Sequence, residues 1–348
     1  MGRGGALRQH PSRMSMSRMS MRRRDALTFG LGAAATLLTR RALAQSADVP
    51  RVGILDTSAP GTYSDTVYWS AFQAQMAALG YIAGKTVRYD ARWAEGDLSR
   101  LPDLTSQLVR SRVRVIMARS TPVALAARTV TKEVPIIVPL MADPVGIGLV
   151  KSLARPGGNI TGMSLLSGDY SAKWLAFLKE AAPKLRRVGV LQNPGNPVTA
   201  IEIENVKQAA PDLGLEVAVL PAGPTELEAT LTALQGGSVD GFVVTDDAFF
   251  EGALPRLVAL AAQKRLPALY GFSIAPKLGG LMSYSADFFT IWRHLAAYVD
   301  RILKGALPAD LPVEQATEVV LNINLKVAKT LGLTIPQTLL ISANEVIE

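Results

Sequence analysis

The sequence contains no cysteine. That absence excludes disulfides, thiolate metal sites, a cysteine nucleophile and the lipid-bearing cysteine of a lipoprotein leader. Histidine is almost as scarce, with two in 348 residues. His10 lies in the leader described below, and His294 stands alone inside an amphipathic helical pattern, the setting of a structural histidine. No cluster of histidines and acids has metal-ligand spacing. No G-x-S-x-G elbow marks a serine nucleophile, and no G-x-G-x-x-G follows a strand-like run. Gly80-Tyr-Ile-Ala-Gly84-Lys85-Thr86 superficially resembles a phosphate loop. It has three residues between its glycines where that motif needs four, and it follows a helix instead of preceding one. It reads as a helix C-cap and turn. With paired acids such as Asp246-Asp247 too common to imply glycosidase chemistry by themselves, the expectation is a non-enzyme with no catalytic residues, cofactor or metal.

A run long enough to cross a membrane is missing as well. The longest apolar stretch near the start, Ala26 to Leu38, has 13 residues, whereas a span needs roughly 20. Arg22-Arg23-Arg24 precede it, and Arg40-Arg41-Ala42-Leu43-Ala44 follow. This is the pattern of an export signal over residues 1–44, cleaved near Ala44 to leave a chain starting near Gln45. Arg23-Arg24-Asp25-Ala26-Leu27 resembles a twin-arginine signal, with Ala26 in the place of the usual Phe. A plain secretory signal is the alternative. Met21 would serve as a start, so residues 1–20 read as an upstream extension. The chain has a formal charge of +8, but nine Arg and one acid sit in residues 1–44. Taking nine from 37 basic and one from 29 acidic residues leaves 28 of each. The body is therefore neutral and has no compositional case for binding nucleic acid. The expected localisation is periplasmic, with no membrane insertion after cleavage.

What the body does have is apolar content and periodicity. Hydrophobic residues make up 49% and charged residues 19%, enough for large buried cores. Arg51–Leu55, Thr86–Trp93, Val113–Ala118 and Pro135–Leu140 read as strands. Asp65–Leu79, Leu98–Arg110 and Pro122–Thr131 read as helices between them. This order implies a parallel sheet covered on both faces. The pattern then recurs. Arg187-Val-Gly-Val-Leu191 echoes Arg51-Val-Gly-Ile-Leu55, Val239–Val244 echoes Val113–Ala118, and Arg265–Leu269 echoes Glu133–Ile137. The expected fold is α/β, with two doubly wound parallel-sheet lobes joined by a three-segment hinge. The breaker cluster Ala154-Arg-Pro-Gly-Gly-Asn159 predicts the first crossing, Gly279–Tyr284 the second and Pro308–Pro312 the third. The helix Phe288–Leu303 would return to lobe I, and the strand Glu318–Asn322 with the helix Leu325–Leu331 would complete lobe II. Lobe I is then 51–158 plus 285–306, and lobe II is 159–284 plus 307–348.

In open α/β sheets ligands bind beyond the carboxyl ends of strands. Two facing lobes surround one cleft with such loops. This selects Thr57 and Ser58 after the first strand, Arg119-Ser120-Thr121 after the third, and Asp143 after the fourth. In lobe II it selects Asn193 and Asn196, then Asp246, then Tyr270-Gly271. Ser120 or Thr121 before Pro122, and Asn196 before Pro197, are cap-then-proline helix starts that present free N–H groups to an anion. A ligand carboxylate suits Ser120-Thr121, and simple capping is the competing account. Asp143 and Asp246 suit a ligand amine; for Asp143, before Pro144, a turn role competes equally. Tyr63, Trp69, Phe249, Phe250 and Tyr270 are candidate aromatic walls, with core packing favoured for each taken singly. Trp174 and Trp292 read as core or interface.

Several stretches together carry a family resemblance. They are Tyr89-Asp-Ala-Arg-Trp-Ala-Glu-Gly96, Asp143-Pro-Val-Gly-Ile-Gly-Leu-Val150, Ser152-Leu-Ala-Arg-Pro-Gly-Gly-Asn-Ile-Thr-Gly162 and Leu266-Pro-Ala-Leu-Tyr-Gly271. Gly279-Gly-Leu-Met-Ser-Tyr284, Tyr298-Val-Asp-Arg-Ile-Leu-Lys-Gly305, Pro308-Ala-Asp-Leu-Pro-Val-Glu-Gln315 and Asn324-Leu-Lys-Val-Ala-Lys-Thr-Leu-Gly-Leu333 complete the set. The chain from about Arg51 to Glu348 resembles ABC-transporter substrate-binding proteins of the type whose characterised members bind tryptophan and other aromatic amino acids. The resemblance implies a type I periplasmic-binding fold, a small-molecule ligand, and delivery to an ABC permease with a cytoplasmic ATPase. A monomer is expected. The chain departs from the family at Asp246-Asp247-Ala248, where a single Asp-Pro is common, and at Thr57-Ser-Ala-Pro-Gly61. Both departures fall at expected ligand loops. The alternatives are a binding protein that presents its solute to a receptor, and an exported enzyme using Asp143 or Asp246.

Overall fold

Short apolar runs form buried strands, and the amphipathic stretches between them form helices covering both faces. The computed structural model describes residues 49–348, save 63, 142, 166–168 and 236. The expected export signal at 1–44 and the candidate wall residue Tyr63 lie outside the described residues. In the first sheet, β1 (Arg51–Asp56) pairs in parallel with β2 (Arg88–Trp93) on one side and β3 (Val115–Ala118) on the other. β4 (Ile136–Met141), β5 (Ile160–Leu165) and β11 (Glu314–Ala316) extend it, giving the order β11-β5-β4-β3-β1-β2. Among the described residues the α-helices covering this lobe are α1 (Trp69–Ala78), α2 (Leu101–Arg110), α3 (Thr121–Val130) and α8 (Phe288–Leu303). One face buries Phe72, Met76, Trp292 and Leu295 against Val52 and Val115. The other buries Leu104, Leu108, Val123 and Ala127 against Leu55 and Ile116. Gly80, with φ +93°, closes α1 by donating its N–H to the Ala77 carbonyl, so the glycine-flanked segment is the cap and turn its context predicts.

The second sheet repeats this topology. β6 (Arg187–Gln192) lies between β7 (Glu216–Pro221) and β8 (Gly241–Val244), and β9 (Ala268–Tyr270) follows β8. The order β9-β8-β6-β7 is that of β4-β3-β1-β2. β10 (Met282–Ala286), β12 (Val319–Asn324) and β13 (Glu345–Ile347) complete seven strands, with β12 antiparallel to β10. The covering helices include α4 (Asp169–Ala181), α5 (Pro197–Ala209), α6 (Leu227–Gln235) and α7 (Ala248–Lys264), with the short α9 (Leu325–Thr330) and α10 (Gln337–Ser342) near the end. Trp174 is fully buried in this lobe, its indole N–H donating to the Tyr284 carbonyl at 3.0 Å. The two lobes are parallel-sheet α/β units of the type I periplasmic-binding fold, as expected.

The chain changes sheet three times, at places other than the breaker clusters. β5 lies in the first sheet and α4 packs in the second lobe, so the first connection falls between Leu165 and Asp169. The second falls at Asp287, between β10 and α8, and the third at Thr317–Glu318, between β11 and β12. The expected boundaries at 158/159, 284/285 and 306/307 therefore shift, and 160–165 and 314–316 move to lobe I. The reason is that breakers report a turn and not which sheet the next strand joins. Asn159 donates its side-chain amide to the Thr131 and Val134 carbonyls at 3.2 and 2.8 Å, fastening that turn onto lobe I. Thr161 donates to the Leu311 carbonyl at 2.7 Å, holding Pro308–Pro312 against β5. Gly162 permits the β4–β5 approach: its φ is +139°, and a Cβ there would lie 2.0 Å from the Val138 oxygen.

Candidate ligand-binding site

The carboxyl ends of β1, β3, β6, β8 and β9 carry loops to one seam between the lobes, and the end of β4 reaches it through Pro139 and Leu140. After β1, Asp56 accepts the Ser58 N–H at 2.8 Å, and Thr57 and Ser58 are buried. The Thr57 hydroxyl has no hydrogen-bond partner among the described residues. After β3, Arg119 is buried and donates to Asp56 at 3.1 Å and to Glu251 of α7. Burial alone would lower the guanidinium's pKa; the charges of Asp56 and Glu251 hold it above its ordinary value. Ser120 occupies the N-cap of α3 in extended conformation but makes no side-chain capping bond, and its buried hydroxyl has no partner among the described residues. The simple-capping account of Ser120 therefore fails.

Lobe II supplies acids. Asn193 and Asn196 donate to the two oxygens of Asp247 at 3.1 and 2.7 Å. Asp247 also caps α7 through the Phe249 N–H at 2.8 Å. Burial raises the Asp247 pKa, while Asn196, the Phe249 N–H, Asn193 and the Arg119 charge pull the other way. Glu202, on α5, is 6% exposed, lies within hydrogen-bonding reach of Asp246, and neither oxygen receives a donor among the described residues. Burial, then the charge and hydrogen bond of Asp246, then the charge of Asp247, push its carboxyl well above the usual range. Gly271 lets β9 approach the Asp246 backbone: its N–H donates to the Val244 carbonyl at 2.8 Å, and a Cβ would come within 2.7 Å of the Asp246 nitrogen.

These groups meet around a cavity of about 60 Å³, room for a few waters. Arg119, Ser120 and Thr121 line it from lobe I; Asn196, Glu202, Asp246, Asp247 and Glu251 line it from lobe II. Trp292, Phe288 and Phe272 give it aromatic walls. The seam continues through a space of about 50 Å³ beside Thr57, Asn193 and Phe249, and one of about 220 Å³ beside Thr57, Ser58 and Phe249. Of the residues predicted from sequence, Thr57, Ser58, Ser120, Thr121, Asn193, Asn196 and Asp246 all reach this seam.

Two others do not. Asp143 is exposed in a left-handed turn (φ +41°), where it accepts the Gly146 N–H at 2.9 Å; the turn role is the one it fills. Tyr270 is fully buried, edge-on to Phe242 at 6.2 Å, in the core of lobe II. Phe250 is likewise core, and Trp69 stacks on Phe72 at 4.9 Å and meets Trp292 edge-on at 6.4 Å. Phe249 alone of the described aromatic candidates lines the seam. His294 is structural, pairing with Glu314 of β11 at 2.8 Å. Sequence reasoning missed Glu202, Glu251, Phe272, Phe288 and the wall role of Trp292. Glu202 carried a signal. It sits with Thr199, Ile203 and Val206 on the buried stripe of α5, where an acid is out of place unless it has a task. Glu251, in the first turn of a helix, passes for an ordinary dipole-favoured acid.

Two lobes of one topology, joined by three strands of chain and enclosing a polar, aromatic-walled cavity, define a solute-binding protein. The chain belongs to the ABC transporter substrate binding protein family, whose model matches residues 63–347. It is 28% identical over 257 residues to a tyrosine-binding protein of Clostridioides difficile (strain R20291), covering 73% of each chain. Among solved structures it resembles the ABC domain from Streptococcus pneumonia in complex with L-Trp, with 28% identity, a TM-score of 0.78, and coverage of 86% of this chain and 100% of that one. A conserved domain protein from Vibrio cholerae matches at 27% identity with the same TM-score and coverage. Family and relatives are solute-binding proteins, and no helix among the described residues is long and apolar enough to cross a membrane.

Proposed function

We propose that this protein is exported to the periplasm, captures an aromatic amino acid or a close analogue between its lobes, and delivers it to an ABC permease driven by a cytoplasmic ATPase. The observation that carries this reading is the division of labour across one cavity. Lobe I offers the uncapped Ser120 hydroxyl and the start of α3 to a carboxylate; lobe II offers Glu202 and Asp246 to an amine; Trp292, Phe288 and Phe272 offer faces to a ring. The tyrosine- and L-Trp-binding relatives support the aromatic side chain. A cavity of about 60 Å³ admits such a ligand only when the lobes separate, so binding proceeds by population shift: the ligand touches both lobes in the closed state alone and stabilises it by that difference. The permease then reads the closed shape.

Thermal unfolding of the chain lacking residues 1–44 tests the reading, with L-tyrosine, L-tryptophan, other amino acids, small acids and purines as ligands. A ligand present at 100 times its Kd adds about 2.7 kcal/mol, and it is recovered chemically unchanged. Absence of a shift with every amino acid overturns the proposal, and chemical conversion of the ligand restores the enzyme alternative. Export is tested by fusing residues 1–44 to a reporter and assaying periplasmic activity.

A further inference from the structure

We infer that the edge of lobe I opposite the cleft is a membrane-binding surface, which holds the exported protein against a bilayer of anionic phospholipids. Of the reading above, only export to the periplasm is needed for this; the captured solute and the permease are not.

The two lobes share one topology, so their strand ends can be compared position by position. At the amino-terminal edge of the second sheet, Arg187 begins β6, Glu216 stands beside it at the start of β7, and the Asp240 N–H, just before β8, donates to the Arg187 carbonyl at 2.8 Å. The Arg187 and Glu216 side chains pair at 3.3 Å. The Asp240 carboxylate accepts the Arg186 and Arg187 N–H groups at 3.1 and 2.9 Å. That edge is neutralised from within. In the first sheet the same three positions hold Arg51, Arg88 and Arg114. Arg51 begins β1, Arg88 stands beside it, and the Arg114 N–H donates to the Arg51 carbonyl at 2.8 Å. Three arginines thus lie in a row on adjacent strands, about 4.8 Å from one strand to the next. Arg51 takes Asp90 at 3.2 Å. Arg88 and Arg114 are exposed and make no ion pair among the described residues; the same holds for Lys85, Arg110 and Arg112 in the turns on either side. Against them the edge sets the exposed acids Glu133, ahead of β4, and Asp310, beyond α8, and an excess of positive charge remains. Because the body is neutral as a whole, this charge is local, and it attracts an anionic surface to one end of the molecule.

Basic charge alone would suit any polyanion. A second feature selects a bilayer. Leu79 and Ile82, in the turn between α1 and β2, are 40% and 46% exposed, and Leu307, beyond the end of α8, is 62% exposed. Tyr81 donates to Asp300 of α8 at 3.0 Å, which fastens the two segments together at this edge. Large apolar side chains among unpaired lysines and arginines suit the boundary between headgroups and acyl chains, where the apolar groups are buried and the cations meet phosphates. A soluble polyanion offers the charge without the apolar layer. The ligand loops lie at the carboxyl ends of β1 and β3, whose amino ends form this edge. With the edge on the membrane, the cleft faces solution and stays free to take solute.

Vesicle co-sedimentation tests this with the chain lacking residues 1–44, since the nine Arg of that segment would bind anionic lipid by themselves and the strands and helices of both lobes all lie beyond it. Binding is expected to vesicles of phosphatidylethanolamine with phosphatidylglycerol, falling as ionic strength rises, and not to vesicles of phosphatidylcholine alone. Arg88→Glu with Arg114→Asp, which copies the lobe II edge, should weaken binding roughly 25-fold or more, at about fivefold for each basic residue removed. Leu79→Ser with Ile82→Ser should weaken it at unchanged charge. Arg187→Gln, on lobe II, should leave it unchanged. All four substituted positions of lobe I are exposed, so the thermal midpoints of these variants should match the wild type. Equal sedimentation with both kinds of vesicle, or no loss in the Arg88/Arg114 variant, overturns the membrane surface. Full binding by the Leu79/Ile82 variant, with soluble polyphosphate displacing the protein from vesicles, assigns the edge to soluble polyanions and overturns it as well. No arm uses the solute. A wild type that sediments with anionic vesicles but gives no calorimetric response to any amino acid supports the membrane surface and overturns only the amino-acid reading.

Discussion

Arg119 of lobe I donates from one end of its guanidinium to Asp56 in its own lobe and from the other to Glu251 of lobe II. The Arg119 and Glu251 side chains are 6% and 2% exposed, so this is a buried ion pair between two bodies that must separate for ligand entry. Opening returns both charges to water, which offsets much of the pair's attraction. The pair therefore sets register and closure more than it sets total stability. In Glu251→Gln, Arg119 keeps Asp56 but loses its ion pair with Glu251 across the seam. The ligand-free variant should be more open, with a larger radius of gyration by small-angle X-ray scattering, and still folded. A scattering profile identical to wild type would remove the latch role. Arg119→Met is the harsher change. It leaves Asp56 and Glu251 buried without their cation, and a loss of about 3–5 kcal/mol is expected in chemical denaturation.

Ser120 should matter to ligand and not to fold. Its hydroxyl caps nothing, so Ser120→Ala should leave thermal stability within about 0.5 kcal/mol of wild type while weakening ligand binding by titration calorimetry. Asp287 is the internal control. Its side chain accepts the Thr290 N–H at 3.1 Å and the Thr290 hydroxyl at 2.7 Å at the start of α8. Asp287→Ala should cost about 1 kcal/mol. Equal stability losses in the two variants would show that Ser120 is a cap after all.

Much of this was legible before the structure. Strands such as Arg51–Leu55 and Val239–Val244 are short apolar runs whose period leaves little choice, and the topological repeat follows from their order. The positions of Ser120, Asn196 and Asp246 followed from one rule, that ligand loops lie at strand ends. What the sequence did not disclose were relations between elements. Nothing in Ala154–Asn159 says that the next strand joins β4, because pairing partners are decided by a tertiary contact such as Thr161 to Leu311. Arg119 was visible as a strand-end residue, but its bond to Glu251 spans 132 positions. Tyr270 was misplaced because an aromatic at a strand end can turn to the core or to the cleft, and Phe242 takes it into the core.

Gly162 is a position where a single methyl should be intolerable. It sits in β5 with φ +139°, and an added Cβ would meet the Val138 carbonyl oxygen at 2.0 Å and the Val138 nitrogen and carbonyl carbon at 2.8 and 2.9 Å, all of them backbone. No side chain can move aside to relieve it. Gly162→Ala must break the β4–β5 ladder locally or force both strands apart, and β5 leads directly to the first connection between the lobes. A loss well above the 0.5–1 kcal/mol of an ordinary glycine effect is expected, measurable in urea unfolding. Gly305→Ala, with φ +101° but nothing within 4 Å of its Cβ, separates the backbone cost from the clash and should be clearly milder.

The acid pair makes a last prediction about pH. Glu202 has a folded pKa well above the 4.5 it has when exposed. Below pH 4.5 it is protonated in both folded and unfolded chains and contributes no pH dependence. As pH rises past 4.5 the unfolded chain releases the proton and the folded chain holds it. The unfolded state then binds fewer protons, so stability falls with rising pH until the folded pKa is passed. Ligand-free protein should therefore lose stability through this residue as pH rises from 4.5 toward the folded pKa. Glu202→Gln keeps the shape without the titration. It should be more stable than wild type at pH 7, nearly equal at pH 4.5, and flatter between. Parallel stability–pH curves for wild type and variant would mean that Glu202 ionises normally.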